Sequence, residues 1–212
     1  MELLEKIASA LQQGDEQQVG ALTTEAVGAG LPAGDVLRSG LLAGMSVVGE
    51  QFRLREIFLP DVLLAARAMY AGLAVLKPRL AQEGIALRGK VVIGSVKGDL
   101  HDIGKNLVSI LLKGAGFEVI DLGHDVAPEA FVEAAVRERA PLIGMSALLT
   151  TTMPRMREVV DLVRQRGLAG QVRTIVGGAP VSADFAREIG ADGYACDAAA
   201  AVERVKALLG AA

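Results

Sequence analysis

Asp99 and His101 stand two positions apart in the stretch Gly98-Asp99-Leu100-His101-Asp102-Ile103-Gly104-Lys105-Asn106. An imidazole beside a carboxylate can bind a metal, because the carboxylate takes the proton of one ring nitrogen and leaves the other free as a ligand. The same pair is also what a hydrogen-bonded loop histidine looks like, and the fragment alone serves both readings. Its surroundings define its place. The apolar run Val91-Val92-Ile93-Gly94-Ser95-Val96 before it has strand composition, and Leu107, Ile110 and Leu111 after it recur at helical spacing. His101 therefore belongs on a turn between a strand and a helix. In an open α/β sheet such turns lie at the carboxyl edge, where ligands collect.

Two further elements sit at the ends of apolar runs downstream: Ser146-Ala147-Leu148 after Pro141 to Met145, and Gly177-Gly178 after Val172 to Val176. The order is Asp-x-His-x-x-Gly, 41 residues, Ser-x-Leu, 28 residues, Gly-Gly. With these spacings the chain resembles the cobamide-binding domain shared by methionine synthase, corrinoid methyltransferase proteins and certain mutases. Several spaced elements, each at a strand end, are far more specific than a lone glycine motif.

The resemblance implies a cofactor, cobalamin or a related cobamide, whose cobalt already has four corrin nitrogens and needs only axial ligands from the protein. It makes His101 the lower axial ligand, in place of the cofactor's own base, with Asp99 orienting the ring. Gly98, Asp102, Ile103 and Gly104 complete that cofactor-binding turn. The detached nucleotide tail is then expected to thread a slot lined by Ser146, Leu148, Gly177 and Gly178, where glycine lets backbone approach the ligand closely. Thr150 joins the cofactor-binding set. Thr152, six positions after Ser146, matches a hydroxyl residue that completes a proton-linked triad in methionine synthase. Thr150, Thr151 and Thr152 equally suit capping of a helix that begins near Met153. His124 falls outside the motif and is expected to be a surface loop residue.

The whole chain has room for this machinery and little else. Its 212 residues are 51% hydrophobic and 22% charged, which describes a folded protein with ample core. Aromatic residues make up only 3%, so Ala, Val, Leu and Ile must build that core. A formal charge of −3 without a basic run argues against nucleic acid. No apolar run reads as a membrane span, and Met1 to Lys6 reads as an amphipathic helix start, not a signal peptide. The single cysteine, Cys196, excludes an internal disulfide framework. The expected location is cytoplasmic.

Residues 1–87 read as a four-helix bundle. Leu3, Leu4, Ile7 and Leu11 share one face, Asp15 with Gln18 forms a capping box, and Pro32 with Asp35 opens a third helix. A fourth follows Pro60 and is expected to break at Pro78. This half is similar to the cap domain of methionine synthase and corrinoid methyltransferase proteins, in which a Phe and a Leu cover the upper face of the corrin. The matching residues are Phe52 and Leu59. Where the family often has Gly-Glu between them, this chain has Leu54-Arg55-Glu56, which puts the local turn in question. Ile57 and Phe58 serve equally well as caps on the bundle's own core. Residues 88–212 alternate strands and helices and are expected to form a flavodoxin-like, Rossmann-like parallel sheet of five strands in the order 2-1-3-4-5. The 77–89 linker is the expected hinge.

A corrinoid protein that carries a methyl group on cobalt is the function this layout implies. Substrate chemistry would sit on other subunits: a substrate-specific methyltransferase, a second methyltransferase using tetrahydrofolate or a thiol, and a reductive activase. Two other classes share parts of the pattern. Cobalamin-dependent sensors add a DNA-binding unit, and small subunits of adenosylcobalamin mutases resemble residues 88–212 alone.

Overall fold

A computed structural model describes residues 2–83 and 87–210, apart from the side chain of Ala81. Residues 84–86 of the expected hinge lie outside the described residues. The chain divides into two compact units, Met1–Leu87 with Gly114–Gly116, and Arg88–Lys113 with Phe117–Ala212.

The first unit is helical. Helices α1 (Glu2–Gln12) and α2 (Glu16–Gly28) are joined by a tight turn at Gly14, and the Asp15 carboxylate caps α2 by accepting the Gln18 N–H at 2.9 Å. A short helix α3 (Ala33–Asp35) runs through a π-helical segment, Val36–Leu42, into α4 (Ala43–Arg53). This stretch packs on α1 at very short range. A Cβ at Gly44 would lie 2.8 Å from the Ala8 carbonyl oxygen, so only glycine lets the two backbones meet there. Helix α5 (Leu59–Gln82) packs along α2 and buries Val62, Ala65, Ala68, Met69 and Leu76.

One expectation fails on α5. Pro78 does not break it. The helix continues to Gln82, and the Glu83 N–H still reaches the Arg79 carbonyl at 2.9 Å. So close to the helix end proline removes a single ladder bond, and Glu83 anchors the end by accepting the Ala33 N–H at 3.0 and 3.2 Å. By length and composition alone Leu59–Leu80, 22 residues of mean hydropathy 1.5, is long and apolar enough to cross a membrane, although Asp61, Arg67 and Lys77 interrupt its apolar run. In the structure α5 is a bundle helix, one face of which builds the core.

The connection after α4 is equally informative. Leu54 and Phe58 are 50% and 69% exposed, so neither caps the bundle core. The turn itself is a regular helix stop: Arg55 N–H bonds to the Phe52 carbonyl at 3.1 Å and Glu56 N–H to the Gln51 carbonyl at 2.9 Å. That pattern requires a left-handed residue next to the cap, and Arg55 has φ +61°. The turn in question therefore forms without its usual glycine, at the cost of backbone strain.

The second unit is a five-stranded parallel sheet in the order β2-β1-β3-β4-β5, made of β1 (Lys90–Ser95), β2 (Glu118–Asp121), β3 (Leu142–Ser146), β4 (Arg173–Gly177) and β5 (Gly193–Ala195). Helices α6 (Ile103–Gly114), α7 (Pro128–Glu138), α8 (Pro154–Gln165), α9 (Ala183–Ile189) and α10 (Ala198–Leu209) alternate with the strands. Strand alternation sorts side chains to two faces. Val92, Ile143, Met145 and Val176 enter one core with Phe131 and Val132 of α7, Met156, Val159 and Val163 of α8, and Ile189 of α9. The opposite face carries Ile93, Gly144 and Ile175, which line a cavity.

Replacing Arg55 with glycine removes the left-handed penalty at the price of a freer unfolded chain. We expect Arg55→Gly to raise stability by about 0.5–1 kcal/mol in urea denaturation, and an unchanged or lowered midpoint would contradict the strain.

Candidate functional site

The signature residues from β1, β3 and β4 converge at one edge because all five strands point the same way. Ser95, Ser146 and Gly177 are paired in register across β1, β3 and β4, so the loops that follow them lie side by side. Asp99 is the centre of this edge and is fully buried. Its Oδ1 accepts the His101 N–H at 3.1 Å and faces the ring Nδ1 at 2.8 Å. Its Oδ2 accepts the N–H groups of Leu148 at 2.7 Å and Leu149 at 3.3 Å, and the Thr152 hydroxyl at 2.8 Å. Burial alone would push this carboxyl up. The hydrogen bonds from the Leu148 N–H, the His101 ring and N–H, and the Thr152 hydroxyl outweigh it and hold the group well below the usual carboxylate range.

His101 is consequently fixed in one sense and open in the other. Nδ1 is committed to Asp99, while the side chain is 51% exposed and Nε2 has no hydrogen-bond partner among the described residues. Its carbonyl accepts the buried Ser95 hydroxyl at 2.6 Å. The helix that follows is pinned as well, since the buried Lys105 ammonium lies 2.6 Å from Asp121 Oδ1 at the end of β2 and 2.6 Å from Asn106 Oδ1. Leu100, Ile103 and Leu148 are exposed apolar side chains in the same loops.

Beside His101 opens a cavity of about 530 Å³ between α6 and α10. Leu107 and Val108 of α6 form one wall, Ala198 and Ala201 of α10 the other, and Ile93, Gly144 and Ile175 of the sheet the floor. His101, Asp102, Ile103 and Gly104 line it together with Ser146, Leu148, Gly177 and Gly178. Gly178 is there out of necessity: at φ +135°, a Cβ would fall 1.8 Å from the Ala147 carbonyl oxygen.

Most of the expected site residues are thus brought together around one carboxylate and one cavity. Gly98 and Asp99 support the turn from behind and do not line the cavity. Thr150 is exposed, makes no cavity wall and stands apart from the others. Thr152 is buried against Asp99, and α8 has no side-chain cap at Met153, so the capping alternative is overturned for Thr152. Phe52 and Leu59, both partly buried, belong to the other unit. His124 is an exposed loop residue, as expected. Sequence reasoning missed Gly144, Ser95 and the Ala198–Ala201 wall. A glycine inside an apolar strand was a usable signal for the first, since it marks close approach of another group. The hydroxyl in the β1 run and the alanines of α10 carried none.

The residues fit a group with a flat face, an axial metal and a long tail: a free imidazole nitrogen, apolar side chains beside it and a slot with small residues along one wall. Comparison with known proteins agrees. Residues 89–203 match a family model described as a B12 binding domain, and residues 3–77 match a second model of the same description. A corrinoid protein of Desulfitobacterium hafniense is 44% identical over 99% of both chains. The chain belongs to the B12-binding corrinoid proteins. Among the relatives of this corrinoid protein, trimethylamine corrinoid protein 1 of Methanosarcina mazei is 42% identical over 98% of this chain and 97% of its own. The solved methanol:cobalamin methyltransferase complex MtaBC of Methanosarcina barkeri contains a similar structure. The match has a TM-score of 0.88 at 34% identity and covers 100% of this chain and 81% of that one. This corrinoid protein therefore carries a corrinoid cofactor and serves methyl transfer.

The Thr152 hydroxyl is expected to be worth about 1–2 kcal/mol of stability through Asp99, so Thr152→Val should lower the urea midpoint while Thr152→Ser preserves it. Because the Asp99 carboxyl is depressed in the folded state, its contribution is complete above the ordinary carboxylate range and declines as pH falls through its folded value. In Thr152→Val the decline should start at the same pH, be smaller, and be complete at a higher pH, because only the folded value rises, and identical acid profiles would remove Thr152 from the Asp99 network.

Proposed function

We propose that His101 Nε2 is the lower axial ligand of the cobalt and that this protein presents its methyl group to two separate methyltransferases. What supports the ligation most directly is the unpartnered Nε2 on a ring whose other nitrogen is held at 2.8 Å by a buried carboxylate. When bound, the corrinoid supplies a cobalt centre that takes a methyl group from a donor and yields it to an acceptor. The chain's own part is to hold and orient. Asp99 fixes the ring and its tautomer, and the slot between α6 and α10 receives the detached nucleotide tail, with Gly177 and Gly178 at its mouth. Thr152 shares its hydroxyl proton between Asp99 Oδ2 and the Leu149 carbonyl at 2.8 and 2.9 Å, a route by which the electron density on the imidazole is tuned. Phe52 and Leu59 shield the upper face of the corrin, on the strength of the family resemblance.

The partners rest on the family resemblance and on the similar structure seen in a methanol:cobalamin methyltransferase complex: a substrate-specific methyltransferase loads the methyl group, a second one delivers it to tetrahydrofolate or a thiol, and a reductive activase restores the cobalt. The names of relatives and of the similar solved complex include trimethylamine, dimethylamine and methanol, which supports a small methylated amine or alcohol as the donor, chosen by the partner.

Titration of the full chain with hydroxocobalamin, followed by visible absorption, tests the ligation. His101→Ala should still bind cofactor through the slot but with a spectrum shifted toward a weaker lower ligand. A spectrum identical to that of the unaltered protein would take His101 off the cobalt. Separately, Phe52→Ala with Leu59→Ala should speed photolysis of the methylated form severalfold, and equal rates would mean that these side chains do not shield it.

A further inference from the structure

The turn that carries His101 is gripped by a second loop that has no part in the spaced signature. Residues Gly123 to Val126, between β2 and α7, run against it. Ser95 N–H donates to the Gly123 carbonyl, Val126 N–H to the Ser95 carbonyl and Asp125 N–H to the Asp99 carbonyl, each at 3.0 Å. In the other direction the Asp125 carboxylate accepts the Gly98 N–H on Oδ1 at 2.8 Å and the Lys97 ammonium on Oδ2 at 3.0 Å. Asp125 therefore holds the peptide before Gly98 with its side chain and the peptide after Asp99 with its backbone.

It does so from a strained position. Asp125 has φ +55°, a left-handed conformation that residues with a Cβ adopt reluctantly and aspartate tolerates better than most. Glycine would adopt it freely, so a carboxylate at this position is explained by what the carboxylate holds. Gly98, with φ +84°, has no side chain to restrain it. Without an acceptor for the Gly98 N–H the Lys97–Gly98 peptide can pivot, and the turn that carries Asp99 keeps on this side only the bond from the Asp99 N–H to the Val96 carbonyl at 3.0 Å.

We infer that Asp125 is a positioning residue for the axial histidine: it holds the two peptides that flank Gly98 and Asp99 and so fixes the direction from which the His101 imidazole reaches the cobalt. This rests on the proposed ligation by His101. A loop contact that served folding alone would leave the metal's axial bond unchanged when the carboxylate is removed, and that difference can be read directly.

The test uses the full chain, labelled with nitrogen-15 histidine, loaded with hydroxocobalamin and reduced to the cobalt(II) form. Electron paramagnetic resonance then shows a doublet splitting for a labelled axial histidine and a triplet for the cofactor's own unlabelled base. Asp125→Gly removes the carboxylate while suiting the left-handed backbone, and Asp125→Asn keeps an acceptor for Gly98. We expect a sharp doublet in the unaltered protein and in Asp125→Asn, and a broadened or lost doublet in Asp125→Gly. In the cofactor-free chain, amide exchange at Gly98 should rise about tenfold in Asp125→Gly, as the loss of one hydrogen bond implies, with the β1 amides unchanged. An unaltered doublet in Asp125→Gly overturns this inference alone. A triplet in the unaltered protein, or a doublet that survives His101→Ala, overturns the ligation by His101 and this inference with it.

Discussion

A carboxylate with no access to solvent is tolerable only if its oxygens are fully hydrogen-bonded, and Asp99 meets that demand by drawing donors from two separate loops. Its Oδ1 serves His101 and its Oδ2 serves Leu148, Leu149 and Thr152. The turn after β1 and the turn after β3 are therefore not independent features of the sheet edge. They are closed on one another through a single buried charge. The spacing of the sequence signature follows from this, since Ser-x-Leu must arrive at the strand end that lets the Leu148 N–H point at Asp99. The sheet supplies the alignment, through the β1–β3 register that sets Ser95 opposite Ser146.

Much of the second unit was legible because its elements obey simple periodicities. Apolar runs alternating with helical stretches marked the strands, and the resulting order is the expected one. His101, Gly177 and Gly178 were legible because their spacing belongs to a known pattern. Asp125 and Ser95 were not, because their partners are fixed only once β1 and β2 lie side by side: Asp125 meets Gly98 across 27 positions of sequence. Lys105 and Asp121 illustrate the same limit. A lysine on the first turn of a helix normally reads as a solvated charge, yet here it is buried against a carboxylate at the end of the neighbouring strand.

In the helical unit the misreadings came from applying local rules too strictly. Proline near a helix end costs one bond and not the helix, and Glu83 supplies an anchor from the far side of the sequence that no local rule contains. Arg55 shows the converse. Its left-handed conformation breaks a propensity rule, and the turn forms because two backbone hydrogen bonds and the helices on either side determine it. Phe58, apolar and exposed, obeys no core rule at all.

The walls of the slot beside His101 have a thermodynamic consequence. Gly144, Gly177, Ala198 and Ala201 have no side-chain torsions. Ordering a leucine or a methionine around a ligand spends rotameric freedom, whereas glycine and alanine have none to surrender. Neither can they swing inward to fill the space. That side of the slot is thus a rigid mould, and the conformational entropy lost on filling it falls on the guest and on Leu107 and Val108 of the opposite wall.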